Sequence, residues 1–208
     1  MKITFLPRPA IFLTGCAFLA GLNGCATVDQ KIGLNYARPD VALVRHSGSI
    51  IVTRGTTRPA AKNSAGEWIV GAQNNVHGVH QADLLSDRSP EEWITDALLY
   101  ELRQAGYTVN YAETFPAAVT RGIAVTDISV FLAVNSGAVS AETRHDLKFN
   151  AEVFLKGDKV KTFSIAARDN RTVPLNASKE EKERIMLQSL QEAMQQTIPD
   201  IIGLIDKQ

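Results

Sequence analysis

The sequence predicts an α+β fold: a mostly antiparallel sheet with two helices packed on one face, forming a single domain behind an export signal. Three observations carry this. Two segments open with helix caps and continue with apolar residues at helical spacing, and several segments between and around them alternate apolar with polar residues. The third is bulk composition: 208 residues, 45% apolar, 7% aromatic and 21% charged, which is ordinary for a globular chain. The 22 basic and 22 acidic residues cancel, so the basic excess of a nucleic-acid binder is missing.

The N-terminus reads as an address. Residues 1–9 carry Lys2 and Arg8 and no acid, and Ala10 to Leu22 run without a charge, the n-region and h-region order of a bacterial export signal. Leu22-Asn23-Gly24-Cys25 follows and resembles the lipobox of bacterial lipoproteins. That resemblance implies cleavage after Gly24 and a Cys25 bearing diacylglycerol and a palmitate-like N-acyl chain. Ala26 and Thr27 stand where an inner-membrane retention Asp would be, so the same resemblance implies lipid anchoring in the outer membrane, facing the periplasm. A competing match, Leu13-Thr14-Gly15-Cys16, leaves only Ala10 to Gly15 as h-region, shorter than export needs. An uncleaved anchor over Ala10 to Val28 is the other alternative, weakened by three glycines and Asn23. The expected division is therefore 1–24 signal peptide, 25–40 lipidated N-terminus and tether, 41–208 one periplasmic domain. Removing the signal leaves 20 basic and 22 acidic residues, and a single cysteine that excludes an internal disulfide.

Val41 to Val44 and Ser49 to Arg54 read as short β-branched strands around Ser47-Gly48. Thr56 to Asp87 is mixed, with Gly66 to Gly71 as a short strand or hairpin arm amid loop-like flanks. Ser89-Pro90-Glu91-Glu92 is a capping box with Pro at the first helical position; Ile94, Ala97, Leu98, Leu102 and Ala105 form one stripe, and Gly106 supplies the stop. Tyr107 to Ala112 follows as a strand. Ile128, Val130, Leu132 and Val134 alternate, as do Leu147, Phe149, Ala151, Val153 and Leu155, and Val160 to Arg168 offers Phe163, Ile165 and Ala167. Setting Phe163 beside Ala151 requires an odd-numbered loop at Gly157-Asp158. A second capped helix starts at Ser178 with Glu181 three residues on, and carries Met186, Leu190, Ala193, Met194, Thr197 and Ile201; Pro199 predicts a kink or break before a last turn through Ile205.

With its tether, the helix exit Leu102-Arg103-Gln104-Ala105-Gly106-Tyr107-Thr108-Val109, the alternating strands and the terminal helix, the chain resembles the YajG-like family of Gram-negative lipoproteins over most of residues 25–206. The resemblance implies lipidation and outer-membrane location, and no enzymatic residues.

No catalytic set emerges from the residues. No serine lies in Gly-x-Ser-x-Gly, no glycine-rich loop precedes a helix, and Glu91-Glu92 is explained by capping. His77 and His80, with Asp83 nearby, are the only metal-ligand types in a cluster; a zinc site needs three or four ligands and the sequence establishes no third, so they read as solvated loop histidines and no metal is expected. His46 and His145 stand alone. No cofactor is expected. The face opposite the helices would show Asp127, Ser129, Phe131, Ala133, Lys148, Asn150, Glu152 and Phe154, and two phenylalanines in a polar rim suit a transient interface. Alternatively, residues 56–87 fold back over Phe131 and Phe154. The expectation is a non-enzymatic lipoprotein with a periplasmic or envelope protein partner. The alternative is a module for a small molecule or lipid, such as a transport auxiliary, with a pocket between the helices and the loop around Trp68.

Overall fold

The computed structural model describes residues 28–38, 46–55, 60–116 and 118–207. Cys16, Gly24 and Cys25, and the strand expected at Val41 to Val44, lie outside the described residues. The element order is β1 (Gln30–Lys31), β2 (Ser49–Arg54), β3 (Trp68–Asn74), β4 (His80–Ser86), α1 (Pro90–Gln104), β5 (Thr108–Ala112), β6 (Arg121–Ser136), β7 (Ser140–Leu155), β8 (Asp158–Pro174) and α2 (Lys179–Ile205). All eight strands join one curled sheet that backs the two helices in a single domain.

The sheet is mixed, which corrects the mostly antiparallel expectation. The long strands β6, β7 and β8 are antiparallel neighbours, as are β3 and β4, but β2 pairs parallel with both β5 and β6, β3 parallel with β6, and β1 parallel with β4. Parallel partners are joined through distant crossovers, so no local turn signal betrays them. β6 is the hub: β7 follows its whole length on one edge, while β2 takes its first half and β3 its second half on the other.

A bulge in β6 makes this division possible. Thr126 pairs with Asn150 and Ser129 with Lys148, so Asp127 and Ile128 together oppose Phe149. Asp127 takes φ 51°, a left-handed conformation that a short polar side chain tolerates. The extra residue flips the strand's faces. Ile123 and Val125 point inward before it, and Ile128, Val130, Leu132 and Val134 after it. This explains why the sequence pattern places the start of the strand near Ile128: residues 121–125 are out of phase with the rest.

The turn between β7 and β8 also departs from expectation. It has two residues, Lys156 and Gly157, both at positive φ (54° and 91°), the backbone of a type I′ hairpin. Phe163 still lies opposite Ala151, because Val160 is bulged out between the Phe154–Lys159 and Val153–Lys161 pairs and restores the parity.

The caps of α1 form as the sequence dictates. Ser89 Oγ accepts from the Glu92 amide at 3.0 Å, and Gly106 at φ 98° lets Gly106 and Tyr107 donate back to Arg103 and Leu102. Replacing Ser89 by alanine is expected to cost about 1 kcal/mol in urea unfolding, with an unchanged denaturant slope. α2 runs continuously from Lys179 to Ile205 through Pro199, so no break occurs. Ile198 just before the proline and Ile201, Ile202 and Ile205 beyond it are buried and hold that last stretch on the core.

Residues 28–38 are not a free tether. β1 extends the sheet beside β4, and Ile32 and Leu34, each 2% exposed, belong to the same core as both helices. Apolar alternation over only two residues is too short to be read from sequence. Residues 60–87 are likewise built in, as the β3–β4 hairpin at the sheet edge rather than a flap over Phe131 and Phe154.

Candidate functional site

Both helices pack on the inner face, α1 over β2, β5 and β6, and α2 over β7 and β8. Among the described residues no helix packs on the outer face of β6, β7 and β8. Phe131, 40% exposed, stands there opposite Asp146. Asp146 accepts from Arg144 Nε and from Arg168 Nε, each at 2.6 Å. Partial burial pushes its carboxyl up, but the two guanidinium hydrogen bonds outweigh that and hold it below the usual range. A recess of about 390 Å³ beside it is lined by Ser129, Asp146, Lys148, Ala166 and Arg168. The arrangement is an aromatic ring within a ring of paired charges, which suits recognition of a polar surface.

Phe154 is different. The Phe115 ring, from the loop after β5, lies 4.8 Å from it and also covers Gly122, where an added Cβ would come within 2.6 Å of that ring. The two phenylalanines predicted as one patch are therefore separated: Phe131 is open and Phe154 is half-buried under a loop whose role the sequence pattern does not reveal. Next to Phe115, a second recess of about 530 Å³ is lined by Arg54, Glu113, Thr126, Asp127 and Glu152 among others. There the Arg54 Nε and Thr126 hydroxyl have no hydrogen-bond partner among the described residues.

The histidine candidates are exposed. His77 caps the β3–β4 turn through its amide on Asn75 Oδ1 at 2.9 Å, and His80 Nε2 lies 2.8 Å from Asp83 Oδ1. Among the described residues no three His, Cys, Asp or Glu side chains gather closely enough to hold a metal. Trp68, half-buried against the core, carries the Lys62 ammonium 3.9 Å above its ring. The residues between the helices, including Leu98, Leu102, Leu190 and Met194, belong to the buried core.

Sequence reasoning missed a cluster that the fold assembles from three distant places. His46 Nδ1 lies 2.6 Å from Asp206 Oδ2, the Tyr107 hydroxyl donates to Asp206 Oδ1 at 2.5 Å, and the His46 and Tyr107 rings stack at 5.5 Å. The Tyr107 hydrogen bond, aided by His46, holds the Asp206 carboxyl below the usual range, while burial pushes the Tyr107 phenol up. No hydroxyl or thiol nucleophile is hydrogen-bonded to His46 among the described residues. Asp206 caps α2, so the cluster clasps the helix end to β5 and to the chain before β2. Separations of 61 and 99 residues leave no local signal for it.

No family model matches the sequence, and no curated protein matches it. Solved structures similar to it include a Xanthomonas campestris protein of the DUF330 family, at 14% identity and TM-score 0.47, covering 87% of this chain and 99% of that one. A Helicobacter pylori protein named as a homologue of a neuraminyllactose-binding haemagglutinin has 12% identity and TM-score 0.45, covering 84% and 98%. The rare lipoprotein B of Shewanella oneidensis has 12% identity and TM-score 0.36, covering 64% and 97%. Likeness at these levels transfers no activity to this chain.

Proposed function

We propose that this protein is a non-catalytic lipoprotein of the outer membrane, anchored through acylated Cys25 and acting as an accessory or scaffold through protein contacts on its outer sheet face. The YajG-like pattern and the lipobox support the address. The observation that carries the contact role is Phe131, open to solvent amid the Arg144–Asp146–Arg168 pairs on a face that neither helix covers. An aromatic anchor in a charged rim supplies affinity at its centre and specificity at its edge.

In-cell crosslinking from the outer face tests this. Phe131→Ser is expected to reduce the yield of a crosslinked partner about tenfold or more, as loss of an aromatic hot spot does, while leaving thermal unfolding within a few degrees. Unchanged crosslinking would remove this face from consideration. Palmitate labelling tests the anchor: wild type takes the label and Cys25→Ser does not.

A second reading, a small-molecule binding module, is favoured by the recess of about 530 Å³ where Arg54 Nε and the Thr126 hydroxyl have no hydrogen-bond partner among the described residues. Native mass spectrometry of the purified protein separates the two: a co-purifying small ligand supports this second reading.

A further inference from the structure

Eight large apolar side chains among the described residues are exposed: Val28, Val76, Val79, Tyr111, Phe131, Val139, Val160 and Leu175. Singly exposed apolar residues are common and carry no message; a concentration of them at one place does. The topology brings five of the eight to one end of the molecule. β3 and β6 run parallel and finish side by side at Asn74 and Asn135, whose side chains hydrogen-bond at 2.8 Å. Beyond them lie the β3–β4 turn with Val76 and Val79, and the β6–β7 turn with Val139, which is 88% exposed. Ser140 pairs with Pro174, which sets Leu175 next to Val139. β1 runs parallel to β4, so Val28, just before it, falls at the same end. A recess there joins Val28 and Gln73 to Asn176, Ala177 and Lys179 at the start of α2, and takes in the buried Lys182, whose ammonium donates to Gln30 Oε1 at 2.5 Å.

This is also the end at which the chain leaves the described body toward Cys25. Val28 lies three positions after Cys25, a reach of at most about 11 Å. We propose that this end, carrying Val28, Val76, Val79, Val139 and Leu175, is a membrane-docking tip that seats in the headgroup region of the bilayer holding the lipid anchor. The inference rests on the acylated Cys25 of the proposed function and goes beyond it: the anchored domain stands in one orientation. The hairpin tips enter only to headgroup depth, where water still satisfies their backbone groups, and their apolar side chains reach the acyl boundary. Acyl chains and apolar tips then act together on one bilayer. α2, 27 residues and about 40 Å long, rises from this tip, so the His46–Asp206–Tyr107 clasp sits at the far pole.

The experiment uses the lipidated full-length protein. After signal removal Cys25 is the only cysteine and its thiol is blocked by lipid, so Val76→Cys, Val139→Cys, Leu175→Cys and Val160→Cys each offer one free thiol for an environment-sensitive fluorophore. All four positions are exposed, which keeps the core intact. In phosphatidylethanolamine–phosphatidylglycerol vesicles with brominated acyl chains, quenching at 76, 139 and 175 is expected to be several-fold stronger than at 160, on β8 close to the turn at the opposite end. Equal, weak quenching at all four positions overturns the proposal. Palmitate incorporation on the same samples keeps the two readings apart: label on Cys25 with unquenched tips defeats the docking tip alone, whereas absence of label defeats the anchor and the orientation with it.

Discussion

Alanine at Ile32 or Leu34 is expected to lower the unfolding free energy by roughly 2–5 kcal/mol each, as deletion of a buried aliphatic side chain does. Both are 2% exposed in the core shared by the two helices. Their segment is also fixed by polar contacts along its length. The Ile32 amide donates to Leu85 O at 2.7 Å, the Gly33 amide to Glu183 Oε1 at 2.5 Å, and Gln191 Nε2 to Ala37 O at 2.5 Å. Glu101, nearly buried on α1, accepts from the Tyr36 hydroxyl and from Arg38 at 2.9 Å, with Tyr100 stacked edge-on against Tyr36. Against a typical domain stability of about 5–15 kcal/mol, the double variant would leave little folded protein. Urea titrations of the single variants measure this; a shift below about 1 kcal/mol would mean that the segment is only laid on the surface. The consequence reaches function. A free 15-residue tether would allow about 50 Å between the proposed anchor and the domain, whereas a strap fixed over residues 28–38 would hold the domain close to an anchor at Cys25.

The difference between strap and tether illustrates which interactions a sequence displays. Both helices are legible because capping and stripe lie within a few residues of each other: Ser89 with Glu92, Ser178 with Glu181. The β7 strand is legible because its inward residues, from Ala141 to Leu155, keep one parity throughout. β6 is half legible, since the bulge at Asp127 cancels the alternation that would join Ile123 to Ile128. What is lost is whatever depends on distant partners. The parallel pairings of β2 and β3, the Phe115 ring over Phe154, and the meeting of His46, Tyr107 and Asp206 exist only after the chain has closed. Of the candidate site, Phe131 survives because exposure on a half-buried strand follows from parity alone. Phe154 shares that parity, and a loop sequence gives no indication of what it will cover.

Acidification from pH 6.5 to pH 4 is expected to cost the fold roughly 3 kcal/mol through His145 alone. His145 is fully buried on β7, opposite Leu132 of β6 and Asp169 of β8, and neither ring nitrogen has a hydrogen-bond partner among the described residues. Burial drives its pKa from 6.5 down to about 4, against the opposing pull of the Asp169 and Asp146 carboxylates. Asp169 is committed elsewhere, to Arg171, which in turn reaches Gln188 of α2 at 2.7 Å. The folded protein thus keeps His145 neutral, while the unfolded chain takes up a proton below pH 6.5. The stability contribution is whole above pH 6.5, declines as the pH falls, and is gone near pH 4. Depressed carboxylates such as Asp146 and Asp206 add losses of the same sign at lower pH, so the histidine is isolated by comparison with His145→Leu. That variant gives up no hydrogen bond, and its unfolding free energy is expected to fall less steeply than the wild type's between pH 6.5 and 4. Parallel curves for the two proteins would mean that the imidazole finds a proton acceptor or water in the folded state. A divergence would place the acid-labile point of the domain under α2, where that helix crosses β7 and β8.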